Sequence, residues 1–464
     1  MFLVFAFFYV FFLSTSNYIC FADDLINVDP AVSSQDKKPT KAKVSKPKRN
    51  GLAKFSRLGT KKSAPVTQNV MAPSVARVST PAERTGEAQE ELIPSNWFER
   101  LDHQLTFDTF EINPRLRTEY MLDSNVFLEN KDAKMDSIFR ESPGIQVVIP
   151  YKDHWFKADY YVDFEQFVKY PRENAENQYL TSEAALNFVN SFVHVNQSLN
   201  KTSSRSGTQF TERVPRFEHD VDASAGYKFN RMTVRGGYDL FYRSFDSEIY
   251  KSLNYHAHKF YSGVAVETSP KTNVTLDYAF TNYNYTKDNR RDGLGNEIFL
   301  GFSGHFLPKT SFFSKLGYEH IGYDKAADAN NFVAEVSTNY RPFEKTNIDL
   351  GWRRSTEQST FADTNSFRQD LLFLKMKQGF TERVLGTFDV SYAKQDYEQT
   401  AATGNILVGR KRDDNLFATK IKFSYLLNEY VTSDIAYQFS WRNSNASVFD
   451  YTDHLVTVGL TANV

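Results

Sequence analysis

Hydrophobic and polar residues alternate along most of the chain. In the segment FATKIKFSYLLNEYVTSDIAYQFSW, residues 417–441, Phe423 and Tyr425 alternate with Lys422 and Ser424. A period of two is typical of a β-strand that has one apolar face and one polar face. The pattern starts at about Asn113 and continues to the last residue, so the sequence predicts an all-β protein.

The alternating pattern divides into eighteen segments, with no helical stretch between them. The predicted strands are Arg115–Leu122, Gly144–Ile149, Trp155–Val168, Tyr179–Phe188, Ser191–Leu199, Arg216–Phe229, Met232–Phe245, Tyr255–Thr268, Asn273–Tyr285, Asn296–Phe306, Ser311–Tyr323, Asn331–Tyr340, Asn347–Ser355, Phe367–Phe380, Val384–Tyr397, Asn415–Leu427, Val431–Arg442 and Thr452–Val464. The turn near Asn190 has the weakest signal, and a count of sixteen strands is the alternative. An uninterrupted series of this kind predicts an up-and-down antiparallel sheet.

Eighteen strands are more than an open twisted sheet usually holds before it curls or splits, and two stacked sheets would leave long unpaired edges. Closure removes the edges, and the interior is then too wide for side chains to fill. Polar residues should therefore line the interior, and apolar residues should face lipid. This places Phe423 and Tyr437 toward the bilayer and Lys422 and Gln438 toward the lumen. The predicted fold class is a transmembrane antiparallel up-and-down β-barrel.

The predicted connections alternate between tight turns and long loops. The long ones are Asp123–Ser142, Asn200–Pro215, Thr286–Gly295 and Glu398–Asp414. Outer-membrane barrels have short periplasmic turns and longer extracellular loops. With a periplasmic N-terminal segment, all four long loops fall on the extracellular side, which predicts a location in the outer membrane.

Three regions are predicted along the chain. Residues 1–22 are mostly apolar, end in Ala22 and precede two acids, as in a secretory signal peptide, with a membrane-anchor helix as the alternative. Residues 23–96 lack periodicity, with eleven Lys or Arg and no acid between Lys37 and Lys62, which predicts a disordered basic periplasmic linker. Residues 97–464 form the barrel domain.

Composition excludes several classes of protein. Hydrophobic residues make up 41% of the 464 residues, and the mean hydropathy is −0.50. No run of about 20 apolar residues follows the N-terminus, so the sequence offers no ordinary transmembrane helix. The net charge of −1 argues against nucleic-acid binding. The only cysteine, Cys20, excludes a disulfide framework and a Cys-based metal site.

Aromatic residues are abundant, with 41 Phe and 26 Tyr. Trp352, Trp441, Tyr323 and Tyr340 lie near predicted strand ends, where outer-membrane barrels carry aromatic girdles at the membrane interfaces. Lipid of the outer membrane is therefore an expected partner.

The candidate chemistry is sparse. His256 and His258 share a strand face, but two ligands fall short of a metal site, and polar lumen or loop residues are the favoured interpretation. No spacing among the acids, serines and histidines indicates catalysis. We therefore predict no enzyme activity, no cofactor and no metal.

Lumen-facing candidates carry both signs of charge. Lys375 and Lys377 on one strand should share a face with Lys420 and Lys422 two strands further on, with Asp389 between them. Four lysines near one carboxylate would form a positive stripe in the pore and draw anions along it. Neutralisation by acids on neighbouring strands is the alternative.

The stretch TEYMLDSNVFLEN, residues 118–130, resembles the start of outer-membrane β-barrel porins of the porin-2 type. The matching motif is Asp123, Ser124, Asn125, Val126 and Phe127, at the end of the first predicted strand. The resemblance implies a porin, and an association with exopolysaccharide synthesis and export. Outer-membrane strands commonly end in an aromatic residue that the barrel-assembly machinery reads, whereas this sequence ends in Val464.

Three functions follow as hypotheses. The first is a porin or channel component that passes small solutes or an exported polysaccharide. The second is a structural or adhesive barrel whose extracellular loops bind a partner, and the third is a barrel hydrolase.

Overall fold

The computed structural model describes residues 105–107, 110–206, 209, 212–288, 290–360, 364–400 and 411–463. The predicted signal peptide and almost all of the predicted linker and its boundary with the barrel lie outside these residues. No helix in the described ranges is long and apolar enough to cross a membrane.

Strands dominate the described chain. They are β1 (Leu105–Phe107), β2 (Phe110–Asp123), β3 (Asp136–Tyr151), β4 (His154–Phe167), β5 (Ala175–Asn187), β6 (Ser191–Thr202), β7 (Arg216–Phe229), β8 (Met232–Phe245), β9 (Tyr255–Ser269), β10 (Thr272–Tyr285), β11 (Gly293–Leu307), β12 (Thr310–Tyr323), β13 (Ala329–Tyr340), β14 (Thr346–Gln358), β15 (Ser366–Gly379), β16 (Val384–Thr400), β17 (Lys411–Leu426), β18 (Val431–Ser444) and β19 (Tyr451–Asn463). Short 3₁₀ turns occupy Pro171–Glu173, Glu248–Leu253 and Ser447–Phe449.

Strands β2 to β19 form a closed barrel of eighteen antiparallel strands. Each pairs with the next along the chain, and β19 closes the ring by pairing with β2, from Leu455 opposite Asp123 to Asn463 opposite Arg115. Strand β1 adds a three-residue pairing to β2. The predicted fold and the count of eighteen are confirmed. The turn near Asn190 is present, and the Phe188 amide donates to the Ser191 carbonyl at 2.8 Å.

All the longer connections lie at one end of the barrel. This loop end carries the described residues 124–135, 168–174, 203–206, 209, 212–215, 246–254, 286–288, 290–292, 324–328, 359–360, 364–365 and 445–450, whereas connections such as Lys152-Asp153 and Asn230-Arg231 form the turn end. Because outer-membrane barrels carry their longer loops outside the cell, we infer that the loop end is extracellular. Strand β3 starts at Asp136, so the predicted loop Asp123–Ser142 is too long. The first half of β3 lacks the apolar alternation that marks a strand in the sequence. It is a strand nonetheless, because its backbone pairs with β2.

The two faces of the sheet differ as predicted. Large apolar side chains are exposed on the outer face, for example Leu276 at 55%, Ile298 at 51% and Leu372 at 50%. Phe423 and Tyr437 share this face because Phe423 is opposite Ile435 and Tyr437 is opposite Val456. A surface of this kind is stable only against lipid.

Tyr323 does not belong to the outer aromatic girdle, contrary to the prediction. It lies opposite Gly293 and packs with the buried Ile321 and Ala329 on the inner face. An aromatic residue at a strand end can lie on either face of the sheet. Tyr323 is four positions after the inward-facing Glu319 on the same strand, so it faces inward as well.

A ring of hydrogen bonds, called here the tyrosine belt, surrounds the outer face near the loop end. Each strand that runs toward this end contributes one bond to the strand that follows it. The nine pairs are Tyr120–Ser137, Tyr160–Gln178, Gln197–His219, Tyr238–His258, Tyr278–Asn296, Tyr318–Asn330, Arg354–Asp370, Tyr392–Asn415 and Tyr437–His454. Polar groups of this density mark the outer interface of the membrane.

The belt also corrects the interpretation of the two histidines. His258 shares a face with Phe260, and a 2.7 Å hydrogen bond joins its ring Nδ1 to the Tyr238 hydroxyl. The rings of His256 and His258 lie 5.1 Å apart. Both therefore lie on the outer face at the membrane interface, rather than in the lumen or in a loop.

Candidate functional site: the barrel lumen

Ion pairs between strands line the inner wall near the loop end. Arg140 on β3 joins Glu119 on β2 at 3.2 Å and Glu165 on β4 at 2.7 Å. Glu218 accepts from Arg216 on its own strand at 2.8 Å and from Arg243 on β8 at 2.7 Å. Charges that are paired in this way keep a wall polar without leaving buried charges unmatched.

Several inner ion pairs cross over an intervening strand, among them Arg115–Asp159 and Lys259–Glu297. Arg235 on β8 reaches Asp277 on β10 at 2.7 Å, and Gly263 of β9 lies between them in the same row. A Cβ atom at Gly263 would collide with the Asp277 carboxylate. Glycine is needed here because only its bare backbone leaves room for the pair.

Gln209, between β6 and β7, reaches residues on the far side of the lumen; the described residues 203–206, 209 and 212–215 are called here the crossing loop. The Gln209 amide donates to Ser359 Oγ at 3.1 Å, and Thr360 Oγ1 donates to the Gln209 carbonyl at 2.7 Å. Ser359 and Thr360 directly follow β14, and β14 and β15 lie nearly opposite β6 and β7 in the ring. A contact between these two loops narrows the entrance at the loop end.

Further contacts hold the crossing loop in place. Arg213 pairs with Glu165 on the inner wall, and Arg205 donates to the carbonyl of Val126 in the β2–β3 loop. Burial, followed by the charge of Arg213, lowers the pKa of the Arg205 guanidinium. Arg291 of the β10–β11 loop donates to the Ser359 carbonyl, which links a third loop to the same place.

The motif on which the family resemblance rests builds the contact between the first and last strands. The Asp123 carboxylate accepts a hydrogen bond from the backbone N–H of Asn125 at 2.8 Å, and the Ser124 hydroxyl donates to the Asp453 carboxylate on β19 at 3.0 Å. Asn125 is buried and donates to the carbonyls of Glu129 and Thr452. Two residues of the motif supply apolar contacts, with Val126 in a buried cluster and Phe127 packed on Tyr170. The motif therefore closes the barrel at the loop end.

The register brings the five predicted pore residues together on the inner face. Lys375 lies opposite Asp389, which lies opposite Lys420. Lys377 and Lys422 flank Thr387 in the next row toward the turn end. We call Lys375, Lys377, Lys420 and Lys422 the lysine stripe.

The acids around the lysine stripe neutralise it only in part. Lys422 lies 3.6 Å from Asp434 on β18. Asp349 is opposite Lys375 but accepts amide hydrogens from Asn339 and Asn347. Among the described residues, Lys375 and Lys377 form no ion pair within 4 Å.

Sequence reasoning missed the arginines near the loop end. Three of them pair with an acid two positions along the same strand, as in Arg117–Glu119, Arg216–Glu218 and Arg412–Asp414. Residues two apart on a strand share a face, so Arg-x-Glu and Arg-x-Asp were readable signals of this wall. The crossing loop had no comparable signal.

The arrangement suits passage of a polar solute. The inner wall offers paired charges at the loop end and the lysine stripe at the turn end, and no group of three or more potential metal ligands occurs among the described residues. A closed barrel with an apolar exterior and a charged interior is a transmembrane barrel of the outer-membrane type.

The model of the family described as "Putative beta-barrel porin 2" matches residues 106–464. The chain belongs to this family of outer-membrane porins, and its location is the outer membrane. A comparison with curated protein sequences gave no match.

Three solved structures illustrate the likeness of the chain to known folds. The chain is similar to OccK5 (OpdH) of Pseudomonas aeruginosa, with 13% identity, a TM-score of 0.44, and coverage of 77% of this chain and 99% of the other. It is similar to OccAB3 of Acinetobacter baumannii, with 10% identity, a TM-score of 0.44, and coverage of 77% and 100%. It is also similar to a BenF-like porin from Pseudomonas fluorescens Pf-5, with 11% identity, a TM-score of 0.44, and coverage of 76% and 99%.

Proposed function

We propose that this protein is a non-enzymatic diffusion channel that prefers anionic solutes, with the lysine stripe as the preferred path. The observation that carries the proposal is the register that joins Lys375, Asp389 and Lys420 in one row of the inner wall. Four cations within two rows form a locally positive surface, although the whole inner wall has mixed charge.

The finer proposal is that the solutes are anionic saccharides, including an exported exopolysaccharide. A sugar polymer with regularly spaced carboxylates would meet successive lysines as it moved along the stripe. This attraction is long-ranged only at low salt, since charges are screened over roughly 10 Å at 0.1 M. Anion preference should therefore weaken as the salt concentration rises.

The test is the reversal potential of single channels in planar bilayers under a KCl gradient. We expect weak anion preference for the native protein, and a smaller preference when all four stripe lysines are replaced by Gln. The matched control replaces Lys152, Lys271, Lys309 and Lys345, four exposed lysines in the connections at the turn end, by Gln. This control makes the same change in net charge outside the lumen and should keep the native reversal potential.

Two results would contradict the proposal. One is cation preference in the native protein. The other is an unchanged reversal potential in the folded stripe variant. Addition of an anionic oligosaccharide should block the native channel more strongly than the stripe variant, and equal block would argue against the saccharide.

The crossing loop should limit conductance. Gln209→Ala removes the bonds to Ser359 and Thr360, so the loop gains freedom and single-channel conductance should rise. Gln378→Ala is the matched control, because Gln378 bonds Thr346 at the opposite end of the barrel. Equal conductance of native protein and Gln209→Ala would mean that the loop does not set the narrowest point.

A further inference from the structure

The tyrosine belt has one sector that differs from the rest. On eight of the nine hairpins the bond joins neutral residues or a histidine, but on β14–β15 Arg354 donates to both oxygens of Asp370 at 2.7 and 2.8 Å. Ion pairs continue from this hairpin onto the neighbouring strands. This is the charged sector of the outer wall.

Six charged residues form the sector in two rows. The row at belt height contains Arg354, Asp370 and Lys394, and the row nearer the loop end contains Arg368, Asp396 and Asp413. Lys394 lies 3.3 Å from both Asp396 and Asp413, and Arg368 pairs with Asp396 at 2.5 Å. Their side chains are 20–45% exposed, so the sector is open to a ligand.

The sector faces out of the barrel at the height of the membrane interface. Arg354 and Asp370 share their face with Trp352 and the exposed Leu372, and Lys394 follows Tyr392 of the belt. Charged groups on this face would be costly in hydrocarbon. They therefore lie among lipid headgroups, directly above an apolar surface that acyl chains cover.

The cations retain capacity to bind an anion. A guanidinium has five N–H donors and binds phosphate with a planar fork, and Arg354 uses two of its nitrogens on Asp370. The Lys394 ammonium has three N–H donors and two carboxylate partners, so it also keeps a donor for a ligand. The three carboxylates hold the cations in one place, so that little side-chain entropy is lost when a ligand binds.

We propose that the charged sector binds the phosphorylated sugar headgroup of an outer-leaflet glycolipid. Arg354, Arg368 and Lys394 would contact the phosphate, and the acyl chains would lie on Leu372 and Tyr392. Lipid fits better than free phosphate because the cations and the exposed apolar residues are adjacent on one wall. The inference is independent of which solute the lumen passes.

The experiment measures binding of bisphosphorylated lipid A to the full-length protein in detergent by native mass spectrometry. The test variant replaces the three cations by Gln and the three acids by Asn, which leaves the net charge unchanged. The matched control is Arg353→Gln with Glu335→Gln, a 2.8 Å ion pair one residue away that faces the lumen. We expect about tenfold weaker binding in the test variant and native binding in the control.

Lipid A without its phosphates should bind the native protein about as weakly as the intact lipid binds the test variant. Equal binding of both lipids, or equal loss in test and control variants, would overturn the proposal. Displacement of the lipid by millimolar inorganic phosphate would also overturn it, because the site would then recognise phosphate alone. A native protein that is dimeric, with a test variant that is monomeric, would overturn it as well, because the sector would then be a subunit interface. If the sixfold variant does not fold, Arg354→Gln with Asp370→Asn makes the same comparison with a smaller expected loss.

Discussion

The inner and outer walls of this barrel place the same residue types in opposite surroundings. Arg353 and Arg354 are neighbours in sequence, yet Arg353 pairs with Glu335 in the lumen and Arg354 pairs with Asp370 on the outside. On the inner wall, ion pairs occur at every height from the mouth to the lysine stripe. On the outer wall between the belt and the turn end, large apolar side chains prevail. The difference is the one expected when water fills the inside and acyl chains cover the outside only between the belt and the turn end.

The largest expected effect comes from exchanging the two environments. Phe423 faces outward in the apolar band, and Lys422 faces the lumen. Phe423→Arg should block assembly, because a lipid-facing arginine costs roughly 2–4 kcal/mol near the bilayer midplane. Lys422→Ala should assemble normally. Heat-modifiability on gels measures both, and equal tolerance of the two changes would invert the assignment of the faces.

A smaller effect is expected within the inner wall. Glu218→Gln leaves Arg216 and Arg243 without the carboxylate they share, and hydrogen bonds to charged groups contribute about 1.5–3 kcal/mol. We expect the free energy of unfolding in urea to fall by an amount in this range. Glu267→Gln is the control, since its pair with Lys228 is exposed at the turn end and such pairs contribute about 0–1 kcal/mol. Equal losses would mean that the inner pairs are no stronger than surface pairs.

The tyrosine belt predicts a modest effect on the outer wall. Tyr278→Phe removes only the hydroxyl that donates to Asn296 at 2.7 Å, a change worth about 0.5–1.5 kcal/mol. Tyr227→Phe removes an outward hydroxyl near the turn end, away from the belt. The free energy of unfolding in urea, measured in vesicles, should fall for Tyr278→Phe and stay native for Tyr227→Phe. Equal values for the two variants would mean that the belt does not stabilise the barrel.

The smallest effect is predicted for the basic segment, which belongs to neither wall. Deletion of Lys37–Lys62 removes no strand, so the heat-modifiable folded form should persist. A deletion variant that never reaches the folded form would show that these lysines are part of the barrel.

The sequence by itself determined the fold class, the position of most strands and their two faces, and it favoured eighteen strands over sixteen. Alternation is local and the side-chain period of a strand is two, so Lys422 and Phe423 could be assigned to opposite sides without knowledge of any partner strand. The need to avoid unpaired edges then favoured a closed barrel, and the alternation of short turns with long loops predicted its orientation.

Only the tertiary structure decided which distant residues meet. The contact of Gln209 with Ser359 joins residues 150 positions apart, and the Arg235–Asp277 pair depends on the register of three strands across Gly263. Tyr323 and His258 were misassigned for the same reason, since a polar or aromatic residue at a strand end suits either face. Long-range register sets these contacts, and it depends on the pairing of whole strands rather than on any local pattern.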